Sequence, residues 1–499
     1  MESPFSSYFH TNYVPSSEEF QCIQMDLALR AQELARLDAR ISDLTAQRDQ
    51  LQAYVDSHKA LISHPRRLPP DIVCEIFAAC LPTERNAVMS AQEAPLLLSR
   101  ICSAWRTIAL STPRLWASLH VPFEWVLLNQ SRTLAVVQWL QRSGARPISL
   151  SVTFDDFEWA DESSTDESFG RSALLRSLAD FSARWRHVEL MQLSSSRARE
   201  LAGMRTPTLE SLKLTGDVSG SKLAALDILR VPTLRNLIVH SWSSDHLDDI
   251  VLTMPLVWDQ LTHLTFQCNR NRRGFLLRNV LVVLERCKRL VSLEVRLRDS
   301  VEFASDPMLL PCLEILIVEG SMQAQSLSYF IDHVSMPGLR KFRIPPLEVH
   351  GSFSFASLGT RSPLIESLEI VDLPSFTDQS LSEILQSLQS LHKLVVSDGE
   401  SRTTQLLNLL TPKLNAETAL CPSLQELVIN YCGGLEKSTL DAFVQGRAEL
   451  GFRHLEFKHP QVPGILSEDH IQSIISQGLK ISIVQAETWI QPFTPWTGL

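Results

Sequence analysis

Apolar positions along the chain fall into three rhythms. The first fills QMDLALRAQELARLDARISDLTAQRDQLQAYVDSH, residues 24–58. Leu27, Leu34, Ile41 and Val55 share a seven-residue register in which Arg48 takes the missing place, and Leu37, Leu44 and Leu51 occupy the companion position. This is an a/d seam of about four heptads, interrupted at Arg30, Arg48 and His58. With no proline or glycine inside, the segment predicts a continuous helix from about Glu19 to His58. It belongs either to a short coiled coil or to a helix lying on the rest of the protein, because an exposed helix needs a partner. Arginine at an a position is costly unless its charge escapes the interface, so any homodimer through this helix is expected to be weak.

The second rhythm is short. In RRLPPDIVCEIFAACLP, the stretch Leu68-Pro69-Pro70 is stiff and extended, and Pro70 and Asp71 suit a first helical turn. Ile72, Val73, Ile76, Phe77 and Cys80 then form one apolar face, closed by Pro82. A polar spacer, Thr83 to Pro95, predicts a loose loop. In ICSAWRTIALSTPRLWASL, the residues Leu98, Ile101, Cys102, Trp105, Ile108 and Ala109 recur at helical steps. Pro113 ends that helix, and Leu115 and Trp116 fold back on its stripe.

Downstream of this module, a helix is expected from Ser131 to Arg142 with Gly144 as its stop, followed by a strand after Pro147. Residues 155–168, DDFEWADESSTDES, read as an acidic surface loop. The third rhythm then begins. TPTLESLKL, VPTLRNLIV, WDQLTHLTF, CKRLVSLEV, LPCLEILIV, MPGLRKFRI, SPLIESLEI, LQSLHKLVV and CPSLQELVI end at positions about 26 residues apart. Trp185–Leu190 extends the series towards the N-terminus and Phe452–Phe457 extends it to the end. In each unit the last apolar pair alternates across a short strand, while stretches such as SLSYFIDHV and SLSEILQSL have helical spacing and would pack behind the sheet. A single unit cannot bury its apolar side alone, so the units must stack. An asparagine or cysteine just past each strand is mostly absent; only Asn269 and Cys432 come near that place.

These residues carry a family resemblance. LPPDIVCEIF followed by ICSAWRTIALSTPRLW resembles an F-box. The repeats are similar to the divergent leucine-rich repeats of F-box proteins of fungal type. The implied fold class is α/β, laid out as an N-terminal helix or coiled coil, a small all-α F-box-like module and a leucine-rich-repeat-like solenoid. The expected divisions are a disordered tail 1–18, the helix 19–62, the F-box 63–121, the solenoid 122–484 and a tail 485–499. In that family the module docks on the Skp adaptor of cullin–RING ubiquitin ligases. The resemblance assigns Leu68, Pro69, Ile72, Ile76, Phe77, Trp105, Leu115 and Trp116 to adaptor binding or to the F-box core. The strand positions alternating away from the leucines, Lys213, Ile238, Thr265, Glu294, Ile317, Arg343, Glu369, Val395 and Val428, would line the inner curve and meet a protein client.

Composition narrows the alternatives. The chain has 499 residues, 44% hydrophobic and 20% charged, with a net charge of −10. That acidity argues against non-specific nucleic-acid binding. The one basic run, Asn269–Arg273, reads as a solvated loop. Nine cysteines without a CxxC pair suit a reducing, intracellular compartment, cytoplasm or nucleus. Cys74, Cys102, Cys287 and Cys312 are expected in apolar surroundings. The N-terminus carries no signal-peptide pattern, and no run is long enough to predict a membrane span. No phosphate loop, zinc-ligand or nucleophile motif occurs, so no enzyme activity, cofactor or metal is expected. His263, His392 and His454 sit beside the strand leucines and are expected to face solvent. Two functions remain: a substrate receptor joining the Skp adaptor to a client, or a ligase-independent interaction scaffold.

Overall fold

The computed structural model describes residues 3–62, 64–122, 130–154, 174–193, 198, 201, 203–216, 226–241, 252, 254–268, 274–298, 307–348, 355–398, 402–412, 419–431, 435–458, 475 and 479–484. The acidic loop, the basic run Asn269–Arg273, Cys432 and the tail 485–499 lie outside the described residues. The chain forms two compact units, Met1–Ile76 and Phe77–Leu499. No helix among the described residues is long and apolar enough to cross a membrane.

The first unit is dominated by α1 (Ser17–Leu61), a helix of 45 residues. Its start is well specified. The Ser16 hydroxyl accepts from the Glu19 amide while the Glu19 carboxylate accepts from the Ser16 amide, a reciprocal capping box. The expected disordered tail is ordered just ahead of it. Tyr8 and Tyr13 stack with ring centroids 4.1 Å apart, and the Tyr13 hydroxyl donates to the Glu19 carboxylate at 2.9 Å. None of the residues of α1 is buried. Two short helices follow, α2 (His64–Arg67) and α3 (Pro70–Ala79), and the boundary between the units falls inside α3.

The second unit continues with α4 (Leu98–Ile101) and α5 (Ser103–Ser111). The single stripe expected from Leu98 to Ala109 is therefore split. Cys102 is extended (φ −157°, ψ 170°), and its Sγ accepts from the Trp105 amide at 3.4 Å, capping α5. That break resets the helical phase: Leu98 and Ala109 are buried, whereas Ile101 is 55% exposed. Thr112 is extended ahead of Pro113, as the proline requires, and Pro113–Trp116 forms a 3-10 turn. The spacer is not loose either. Ala87 and Val88 are buried, the Ala87 carbonyl accepts from the His120 amide at 2.8 Å, and Glu93 holds both Arg85 and the Val88 amide.

Among the described residues, the unit continues as a large parallel sheet of fourteen strands in sequence order, with the two-residue strand Phe275–Leu276 pairing beside them. It opens with Ser118–Pro122, inside the segment assigned to the helical module, and runs through Ile148–Thr153 to the last strand, Lys480–Val484. Each strand presents apolar residues to one side. Leu212, Leu237, Leu264 and Leu293 stand in register and are all buried. Behind them pack the helices Leu277–Arg286, Ala324–His333, Asp378–Ser387, Thr403–Leu410 and Lys437–Ala448. The turns Asp227–Arg230 and Trp258–Gln260 take that place in earlier repeats.

Backbone joints between repeats stand in for a regular asparagine ladder. The carbonyl of Glu210 accepts from the amides of both Arg235 and Asn236, and the Arg235 carbonyl does the same for Thr262 and His263. The pattern recurs at Val291, Glu314, Arg340, Glu366, His392 and Gln425. Threonines reinforce the early joints: the Thr208 hydroxyl donates to the Trp185 carbonyl at 3.0 Å, and that of Thr233 to the Leu209 carbonyl at 2.8 Å. Gly320 closes one strand at φ +99°, where a Cβ would stand 2.3 Å from the Leu297 carbonyl oxygen, so only glycine fits.

Candidate functional site

The eight positions expected to dock an adaptor or fill the core of the helical module separate into two groups. Leu68 is 37% exposed, Ile72 45% and Ile76 41%, with Pro69 also exposed. Ile72 and Ile76 are four residues apart on α3 and so share one face of it. Their neighbours Val73 and Phe77 point the other way and are buried. Phe77, Leu115 and Trp116 have no exposed surface at all, so these three are core and cannot meet an adaptor. Trp105 is half-buried, edge-on to Phe77 with centroids 5.0 Å apart.

Trp116 explains the second aromatic of the motif. Its indole N–H donates to the Ala109 carbonyl at 2.8 Å, and its ring meets Trp139 edge-on at 4.8 Å. The Arg142 guanidinium lies over the same ring at 4.7 Å. Trp139 in turn donates to the Ser118 carbonyl at 3.1 Å. The motif's last tryptophan thus welds α5 to the first turn of the solenoid, a role invisible from the motif alone because Trp139 lies outside it.

The nine strand positions form one continuous row. Lys213 stands beside Ile238, then Thr265, Glu294, Ile317, Arg343, Glu369, Val395 and Val428 in unbroken register. The structure extends the row through Glu189, Ser151 and His120 at one end and Glu456 and Ser482 at the other. Val428 is buried and the other eight expected positions are half-buried. Their charges are paired across strands. Lys213 Nζ lies 2.5 Å from Glu189; Arg343 lies 3.4 Å from Glu319 and 3.3 Å from Glu369; Arg296 reaches the same Glu319 at 3.7 Å. Arg343 is therefore the hub of an ion network, not a free side chain awaiting a ligand.

At the head of the row, the His120 ring nitrogen Nδ1 sits 2.8 Å from the Ser151 hydroxyl. Burial pulls its pKa down to about 4; Glu189 opposes this and Arg85 reinforces it. Near the other end, Glu426, His454 and Glu456 gather so that their ligand atoms lie within 4.8 Å of one another. Separate strands bring them together, which is why spacing in the sequence gave no metal signal. Lys393 Nζ already bonds Glu426 at 2.8 Å, His454 lies 3.4 Å from it, and Lys458 lies 3.7 Å from Glu456. Partial burial pushes the Glu426 carboxyl up, but Lys393 and His454 outweigh it and hold the pKa below the usual carboxylate range. The group is built as an ion-pair cluster.

Other expectations are corrected locally. Cys312 is exposed, whereas Cys287 is buried and its thiol is pushed up to about 12 by that burial. His392 precedes its strand by one residue, in the opposite phase to His263 and His454, and is exposed at the turn. Sequence reasoning missed Arg447, a fully buried guanidinium that donates to the carbonyls of Leu410, Cys421 and Leu420.

No protein-family model and no curated protein sequence matches the chain. Among solved structures, the yeast Rad7 and Elc1 complex is similar at 14% identity and a TM-score of 0.37, covering 94% of this chain and 98% of that one. A Bacteroides fragilis protein is similar at 13% identity and a TM-score of 0.31, covering 64% and 83% respectively.

Proposed function

We propose that this protein is a non-catalytic substrate receptor of an SCF-type ubiquitin ligase. In this reading Leu68, Pro69, Ile72 and Ile76 dock on the Skp adaptor, and the outward face of the sheet holds a protein client. The observation that carries it is the division of the motif: Ile72 and Ile76 are exposed apolar residues on one face of α3, while Phe77, Leu115 and Trp116 are enclosed. Exposed Ile72 and Ile76, with exposed Leu68 just ahead of their helix, give α3 an apolar face of the kind that a docking site uses.

Co-precipitation tests the adaptor half. Ile72→Glu with Ile76→Glu should abolish capture of the Skp adaptor while the thermal unfolding profile stays unchanged, because neither side chain is buried. Adaptor capture that survives the double change means that the adaptor docks elsewhere than on this face of α3, and a parent chain that captures no adaptor leaves the ligase-independent scaffold as the function. For the client half, Lys341→Glu is a sharper probe than Arg343→Glu. Lys341 is exposed on the same strand two residues before Arg343. Arg343→Glu would instead set three carboxylates together and disturb the sheet itself.

A further inference from the structure

The arm α1 carries more seam than four heptads. Phe20 continues the a register and Ile23 the d register towards the N-terminus, and Ile62 continues a past the last turn. At about 1.5 Å per residue the helix is about 67 Å long. Leu34, Ile41 and Leu51 are each more than 60% exposed along it. Three polar residues interrupt this seam, and each has its polar atoms turned aside by a local partner. Arg30 Nε lies 3.4 Å from Asp26, Arg48 Nη2 lies 2.5 Å from Asp49, and His58 Nδ1 lies 2.9 Å from the Tyr54 carbonyl. The aliphatic stems of both arginines are left along the seam while their charges sit beside it.

We propose that α1 pairs with α1 of a second copy of this chain in an antiparallel coiled coil, with Ile41 opposite Leu44 of the other copy at its centre. Two kinds of layer decide the orientation. In a parallel pair, Arg30 meets Arg30, Arg48 meets Arg48 and His58 meets His58. Glu33 at a g position would also face Asp38 at the e position of the other helix, a like-charge contact made twice. The antiparallel register removes all of these. Arg48 then packs against Leu37, Arg30 against Val55 and His58 against Leu27, while Leu34 meets Leu51 and Ile23 meets Ile62. Sliding the helices by one heptad towards their N-termini would oppose Arg48 to Arg30 again. Sliding the other way shortens the overlap. One register therefore combines overlap over residues 24–61 of α1 with no opposed cations. The inference is independent of the adaptor and client reading.

Sedimentation equilibrium of the full-length chain across micromolar concentrations should give twice the chain mass. Leu37→Asp with Leu44→Asp should weaken that dimer by about a hundredfold or more; neither side chain is buried, so both units remain folded. A full-length chain that stays monomeric overturns the proposal, as does a dimer indifferent to these two changes. Orientation is read by disulfide trapping in a Cys22→Ser background. Leu34→Cys mixed with Leu51→Cys should cross-link efficiently, whereas each variant alone should not. Efficient self-cross-linking of the single variants would mean a parallel pair and would refute the antiparallel register.

Discussion

The arm and the sheet are both written as repeats, yet one buries nothing and the other encloses almost every leucine of its inner row. The difference is geometric. A strand leucine such as Leu368 is flanked by Phe342 and Leu394, which arrive from the same chain one repeat earlier and later. The solenoid's period returns the chain to the same place, so each repeat covers its neighbour. In α1 the next heptad lies about 10 Å further along a straight axis, where it cannot cover the one before. Identical apolar side chains thus become internal stability in one region and exposed apolar surface in the other.

Arg447 offers the largest way to break this contrast. Replacing it with methionine takes the guanidinium donor from the carbonyls of Leu410 and half-buried Leu420, while the Cys421 carbonyl keeps the Leu424 amide; each lost donor is worth about 1–3 kcal/mol. The solenoid should lose about 3–5 kcal/mol, read as a shift of the urea midpoint. A loss below about 1 kcal/mol would mean that water replaces the guanidinium and that the helix ends are not tied through it.

A matched pair of leucines tests the contrast directly. Leu368→Ala should cost about 2–5 kcal/mol by opening a cavity in a packed row. Leu37→Ala, measured under dilute conditions, should stay within about 0.5 kcal/mol of the parent. Equal costs at the two sites would show that the arm is packed after all.

The depressed pKa of His120 makes the head of the sheet acid-sensitive. The unfolded imidazole binds a proton near pH 6.5, whereas the folded one resists protonation until about pH 4. Between those values the unfolded state carries more protons, so stability falls as pH drops. The full effect is about 3 kcal/mol, and denaturation curves at pH 7 and pH 4 should show it. His120→Asn should flatten that dependence. If the variant keeps the same slope, another group is responsible.

The smallest effect belongs to the outward row. Arg343 is about 30% exposed in its side chain and shares two carboxylates. Arg343→Gln should therefore cost about 1 kcal/mol or less and lose most of that dependence in high salt. Salt titration of the unfolding midpoint measures it.

Periodicity alone determined the long helix, the strand positions and the nine-residue outward row, because each is a local rule of spacing that any burial must obey. The division of the motif's positions between surface and core was not legible: Ile76 and Phe77 are adjacent apolar residues, and only packing says which one faces water. The spacer was misjudged for the same reason, since Ala87 is held by a strand that begins some thirty residues later. Arg447, the Trp116–Trp139 contact and the Glu426–His454–Glu456 cluster join elements distant along the chain. Tertiary structure decided these. Their partners are fixed by how the repeats stack, and stacking brings together residues whose separation in sequence carries no signal of its own.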